Sequence, residues 1–274
     1  MTVAATGKGS VVMDVRNIGM TFGDGVRAFE ALRGISLQIS EGEFISLVGP
    51  SGCGKSTLLQ ILGGLLISTK GSVHVGGMKV SGPLPGEIAI VFQEAMLLPW
   101  KSALANVEYP LGLQGVPKND RAMRAKTMLD LVGLSKFVSH FPHQLSGGMK
   151  QRVSLARCLA QQPRIILMDE PFGALDEQTR IRMGRELLRI WDQARTTVLL
   201  VTHSLTEAIY LSDKVWVMGG GPGRIIECID VPLERPRRIE MIGSEQFGRL
   251  RNHLWGLLDL GDGDPAASGE GAAW

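Results

Sequence analysis

The strongest constraint on this chain is a short loop, Gly49-Pro50-Ser51-Gly52-Cys53-Gly54-Lys55-Ser56, set between an apolar run over 43–48 and a helical pattern over 55–65. It satisfies G-x-x-x-x-G-K-[ST] in the strand–loop–helix context that gives this pattern structural meaning. Glycines let successive backbone N–H groups curl around a phosphate, and a helix starting at Lys55 adds the positive end of its dipole. Lys55 is expected to reach the β- and γ-phosphate oxygens of a nucleotide, Ser56 to hold Mg²⁺ through its hydroxyl, and Thr57 to reach the α-phosphate. A Gly-rich turn without a ligand is the alternative, and the intact flanking pattern weighs against it. Cys53 has two readings, a thiol activated by the helix end or a small residue filling a variable position; the second is favoured.

A second signal is 164–168, an apolar strand that ends in Asp169-Glu170. Acids at the C-terminal edge of a parallel strand stand where such sheets build ligand sites. Asp169 is expected to hold Mg²⁺, and Glu170 to polarise an attacking water as general base. Taken alone, the pair is as readily the start of a loop; beside the phosphate loop, that reading weakens. Further strands are expected over 35–39, 88–92, 197–201 and 214–218, with helices over 176–194 and 204–211. Strands alternating with helices imply an α/β parallel sheet. Between 96 and 163 helical patterns replace strands, as over 121–132 and 148–160, which reads as a helical insertion.

Bulk properties narrow the function. A net charge of +2 over 274 residues provides no broad surface for nucleic-acid phosphates. Cys53, Cys158 and Cys228 are odd in number and widely spaced, so neither a disulfide framework nor a zinc site is indicated, and a reducing compartment fits. The first residues lack the apolar block of a signal peptide, and no stretch resembles the roughly 20 apolar residues of a spanning helix. The Gly- and Ala-rich end, 261–274, is expected to be a disordered tail.

Leu145-Ser146-Gly147-Gly148-Met149-Lys150-Gln151-Arg152 opens a helix on Ser-Gly-Gly, a second anion-binding start in one chain. With this stretch the chain resembles the ABC ATPases, whose signature is LSGGxxQR, from about residue 11 to about residue 231. The resemblance implies a P-loop NTPase (RecA-like) α/β core with an inserted α-helical subdomain and a small antiparallel β region. It places the ATPase domain at 11–232, with the helical subdomain over about 96–163 and a short helical extension over 233–260. It also implies a head-to-tail dimer in which Ser146, Gly147 and Gly148 of one copy close over ATP held by Lys55 of the other. Gln93 resembles the Q-loop glutamine near Mg²⁺ and the water, Asp176 the D-loop acid at the dimer seam, and His203 the switch histidine at the γ-phosphate. Phe22 matches the adenine platform, with core packing as the alternative, since stacking needs only an aromatic face.

Residues 92–100, 168–176 and 221–225 are similar to the nitrate/sulfonate/taurine importer group. That likeness implies a homodimer, or a dimer with a paralogous ATPase, on two membrane-spanning permease subunits at the cytoplasmic face of the inner membrane. An extracytoplasmic solute-binding protein would deliver the solute, and no nucleic acid is involved. Leu98 and Trp100 are expected either in the groove receiving the permease or in the core of the helical insertion. The Arg235-Pro236-Arg237-Arg238 cluster reads as a solvated face rather than a lipid patch. A nucleic-acid-directed ABC ATPase would add a coiled-coil insertion or a tandem unit, and a module without turnover would lack Glu170, His203 or Ser146; neither pattern occurs. Substituting Ser146→Arg is therefore expected to abolish ATP turnover while the isolated monomer still binds ATP, as measured by phosphate release and by nucleotide titration.

Overall fold

All five side chains of Phe44–Val48 are buried, as are all five of Thr197–Val201. Strands with both faces covered belong at the centre of a parallel sheet. The computed structural model describes residues 2–3, 9–173 and 175–261, so the expected tail, beyond Gly261, lies outside the described residues, as does Ala174. In chain order the strands are β1 (Thr2–Val3), β2 (Val11–Phe22), β3 (Phe29–Ser40), β4 (Phe44–Val48), β5 (Lys70–Val75), β6 (Met78–Lys79), β7 (Ile88–Val91), β8 (Ile165–Asp169), β9 (Thr197–Val201), β10 (Lys214–Gly219) and β11 (Arg224–Asp230). The helices are α1 (Lys55–Leu62), α2 (Ala103–Leu113), α3 (Lys118–Leu131), α4 (Gly147–Leu159), α5 (Glu177–Ala194), α6 (Leu205–Leu211) and α7 (Glu245–Gly261).

The larger sheet runs β11-β10-β4-β9-β8-β7, parallel except for the edge pair β10–β11. The smaller runs β1-β3-β2-β5-β6, antiparallel apart from β1 beside β3. The period-2 alternation of strands divides the larger sheet between two cores. Phe44, Val48, Met168, Leu200 and Val217 pack with the helices, among them Leu187, Ile190 and Trp191 of α5. Ile45, Leu47, Leu167, Val201, Trp216 and Met218 pack with α1 and the smaller sheet. Ser46 is buried on the helical side and paired at 2.5 Å with the hydroxyl of Ser212, which meets the need of a buried polar group for a partner.

The expected P-loop α/β core is present, and the differences from sequence have local causes. Helix α1 stops at Leu62 rather than 65, because Gly64 takes φ +70° and a Cβ there would stand 2.2 Å from the Gly82 carbonyl. Helix α2 carries Pro110 inside it and starts at Ser102, whose hydroxyl accepts from Ala105 N–H at 3.2 Å. The long strand β2 is masked in sequence by register shifts and by Asn17 at φ +50°. Helix α7 runs through Gly261, one residue past the expected extension over 233–260 and onto the first residue of the expected tail.

The arginine cluster is corrected in part. Arg235 donates to Asp213 at 2.8 Å and lies 4.2 Å from the ring centre of Trp191. Arg237 is buried and donates to the Ser212 carbonyl at 2.9 Å and to the Leu233 carbonyl. Burial, together with the neighbouring Arg235 charge, lowers its pKa to about 10. These two guanidiniums tie the segment after β11 to the sheet, and Arg238 alone remains exposed. Leaving those carbonyls unpaired by Arg237→Leu is expected to lower the unfolding free energy by about 1–3 kcal/mol, read from urea denaturation with an unchanged m-value.

Candidate functional site

The loop after β4 is shaped by contacts that admit no side chain. A Cβ at Gly49 would lie 2.5 Å from the Met218 carbonyl, and Gly54, which precedes α1 at φ +96°, faces Leu32 at 2.7 Å on the same test. Gly223, in the β10–β11 turn, would meet the Cys53 carbonyl at 2.1 Å. Lys55 is buried, and its Nζ donates to the Gly49 and Pro50 carbonyls at 2.8 Å each. The ammonium thus lies inside the curl of Gly49, Pro50, Ser51, Gly52 and Cys53, where the expected phosphate cradle requires it. Cys53 is buried and its thiol is pushed up by desolvation, which agrees with the packing role. Thr57 is half-buried on the first turn of α1.

Register brings the acids to the same level. Asp169 pairs with Val201, Leu47 also pairs with Val201, and Val91 pairs with Met168, so β4, β9, β8 and β7 all end together. Ser56 Oγ donates to Asp169 Oδ1 at 3.3 Å. Burial raises the Asp169 carboxyl above the usual range, opposed by the Ser56 hydrogen bond. The hydroxyl and carboxylate meeting here are hard oxygen donors of the kind that suits Mg²⁺, whose charge would oppose that rise. Glu170 stands at φ +42°, a left-handed conformation costing a non-glycine of order 1–3 kcal/mol. It is held there by its N–H to the Val201 carbonyl at 2.9 Å and by Gly173 N–H to its own carbonyl at 3.0 Å. The Glu170 carboxylate accepts from His203 Nδ1 at 3.1 Å. A Cβ on Gly173 would lie 3.4 Å from both Gln93 Nε2 and Glu170 Oε2, so these side chains converge over that glycine.

The second anion-binding start is built and faces outward. Ser146 caps α4, its hydroxyl accepting from Met149 N–H at 3.3 Å, and Ser146 and Gly147 are exposed with Gly148 half-buried. Asp176 caps α5 by accepting from Thr179 N–H at 2.9 Å, a bond that holds its carboxyl below the usual range. Within one chain neither touches the Glu170 cluster by any described hydrogen bond. Phe22 is 40% exposed opposite Phe29 at 61%, so the core alternative for Phe22 is excluded. Trp100 is 71% exposed, which likewise removes it from the core of the helical region.

Sequence reasoning quoted Gln151 but gave it no task. Its buried Nε2 donates to the carbonyls of Phe92 and Gln93 at 3.0 Å each and of Pro171 at 2.7 Å. It therefore fastens α4 both to the segment bearing Gln93 and to the segment after Glu170. A signal was available: Gln151 shares the buried stripe of Ser154, Leu155 and Cys158, where a polar residue must find partners. Arg157 does the same further along, donating to Ala95 at 3.0 Å and Met96 at 2.8 Å.

Comparison with known proteins places this geometry. A family profile described as ABC transporter matches residues 32–173. The chain is 48% identical over 227 residues to an uncharacterised ABC transporter ATP-binding protein of Methanocaldococcus jannaschii, covering 83% of this chain and 85% of that one. It is 40% identical to a bicarbonate transport ATP-binding protein of Synechocystis, covering 92% and 90% respectively, and 46% identical to a taurine import ATP-binding protein of Yersinia pestis, covering 73% and 78%. Among solved structures, a dimeric post-hydrolysis ATP-binding cassette bound to ADP and Pi superposes with TM-score 0.70 at 34% identity, over 81% of this chain and all of that one.

Removing the Gln151 amide should loosen the connection between α4 and the acids. Gln151→Ala is expected to lower kcat for ATP about tenfold or more through misplacement of Gln93 and Glu170, while ATP binding to the isolated chain stays near the parental value; stopped-flow phosphate release and equilibrium titration measure the two.

Proposed function

The chain belongs to the ABC transporter family as an ATP-binding, ATP-hydrolysing subunit, and on that premise we propose that it powers an importer of small anions or small organic molecules. The observation that carries the catalytic part is the convergence of Ser56, Asp169, Glu170, His203 and Gln93 at the ends of four adjacent strands above the Lys55 loop. In this reading Lys55 and the loop N–H groups bind the β- and γ-phosphates, Thr57 reaches the α-phosphate and Phe22 stacks on adenine. Ser56, Asp169 and Gln93 hold Mg²⁺, which would neutralise charge developing on the phosphates. Glu170 takes the proton of the attacking water, and His203, held on Glu170 at 3.1 Å, reaches the γ-phosphate.

Ser146, Gly147 and Gly148 then complete the site of a second copy, with Asp176 at the seam. The solvent-facing start of α4 supports this assignment, because a helix N-terminus that meets no anion in its own chain is available to one held by another. Two such copies, or one with a paralogous ATPase, would sit on two permease subunits at the cytoplasmic face of the inner membrane. No helix among the described residues is long and apolar enough to cross a membrane; in this reading the permease subunits supply the pathway. Exposed Met96 and Trp100, next to Gln93, are the surface for that contact, since aromatic anchors dominate interfaces. Residues 11–232 would act as the ATPase domain, with 96–163 as its helical subdomain and 233–260 as an extension pinned by Arg235 and Arg237. The names of the bicarbonate and taurine relatives support a small anion or small organic solute, which in this reading an extracytoplasmic binding protein delivers.

Glu170→Gln is the decisive variant. Loss of a general base costs about 10²–10⁴ in rate, so the assembled transporter should lose turnover by that factor and accumulate a closed, ATP-bound dimer on size exclusion. Parental turnover by this variant would remove Glu170 from the role. Purification of the tagged chain from native membranes in mild detergent should retain a multi-spanning permease, identified by mass spectrometry; only soluble partners would end the importer reading.

A further inference from the structure

Glu207 of α6 is the one buried acid among the described residues. Nothing assigned so far uses it. Its Oε2 accepts from the hydroxyl of Thr202, which is itself buried. Thr202 Oγ1 in turn accepts from Ser204 N–H at 3.1 Å, so the hydroxyl hydrogen is left to point at Glu207. Ser204 Oγ accepts from Glu207 N–H at 3.3 Å and closes the turn. Thr202, before His203, is thereby bonded to the Glu207 carboxylate, and Ser204, after it, to the Thr202 hydroxyl and the Glu207 N–H, whereas the imidazole itself is half-exposed and its one described hydrogen bond is to Glu170.

The opposite side of Glu207 faces α5. Arg180 of α5 favours its charged form through space, and Arg180 Nη2 itself donates to the Leu175 carbonyl at 3.0 Å, immediately before Asp176. Glu207 Oε1 and Arg180 Nε are both buried without a partner in the structure, and both residues line a narrow cleft between α5 and α6 with Ser204 and Tyr210. Burial raises the Glu207 carboxyl, with the Thr202 hydrogen bond, Arg180 and His203 opposing the rise and Glu170 adding to it. A carboxyl kept at such cost in a helix of seven residues calls for a task beyond packing.

We propose that Glu207 is a positioning residue for ATP hydrolysis: through Thr202 it sets the turn that aims His203 at Glu170. The inference rests on the proposed roles of Glu170 and His203. It assigns Glu207 no contact with nucleotide, so binding and turnover should separate.

The test is steady-state ATP hydrolysis and ATP titration by the full chain in its transporter, with Glu207→Ala, Glu207→Gln, Thr202→Val and the Glu207→Ala/Thr202→Val double variant. Misplaced catalytic groups cost on the order of 10–100-fold, so Glu207→Ala and Thr202→Val should each lose kcat in that range with KM little changed. Glu207→Gln, which keeps an acceptor for the Thr202 hydroxyl, should recover most of the rate. The double variant should be no worse than the poorer single one, since both remove the same link. Full kcat in Glu207→Ala beside inactive Glu170→Gln and His203→Ala controls would overturn the proposal alone. Equal losses in the Ala and Gln variants that follow a lowered melting temperature would also overturn it, as a packing effect. An active Glu170→Gln control would instead fault the catalytic reading beneath it.

Discussion

The pairing of β8 between β7 and β9 is the constraint on which the site depends. Parallel strands buried on both faces cannot slip by one residue without turning each apolar side chain to the wrong core. Because Asp169 is fixed opposite Val201 and Val91 opposite Met168, the groups just beyond the strand ends arrive at one level without any contact among themselves having to hold them there. The two hydrophobic cores stabilise that register, and the polar cluster inherits it. Strain at Glu170 is tolerable for the same reason, since its backbone N–H and carbonyl are both engaged by neighbouring segments.

Charge is handled economically. Lys55 and Asp169, each taken largely out of water, are given neutral partners: carbonyls for the ammonium and the Ser56 hydroxyl for the carboxylate. Neutral partners leave neither group locked into an ion pair that a ligand would have to break. Arg237 shows the contrasting use of a buried cation, its two terminal nitrogens donating to carbonyls that hold the chain beyond β11.

The stretches that meet at the candidate site were legible in the sequence because each is a short pattern whose chemistry fixes its residue types, and the inner strands were legible as unbroken apolar runs. The smaller sheet was legible only as a region, since β2 bends through Asn17 and changes register along β3. Helix α2 was hidden by Pro110. Phe22 and Trp100 could not be placed from pattern alone, because an aromatic residue reads the same in a core and on a surface. Gln151 and Glu207 were missed for a different reason. Their partners are backbone carbonyls distant in the chain for Gln151 and a hydroxyl of a kind common in any sequence for Glu207, so the helical spacing that marks Gln151 as buried does not say what it bonds.

The Gln151 side chain has one more property. An amide nitrogen carries two hydrogens, yet three carbonyls surround it, those of Phe92, Gln93 and Pro171. One acceptor must always share. The seam between α4 and the sheet is therefore fastened by a latch with more catches than tongues, and small rotations of α4 can exchange one catch for another without passing through a state in which the buried amide is left unbonded. A joint of that kind holds firmly against separation and yields to swivelling.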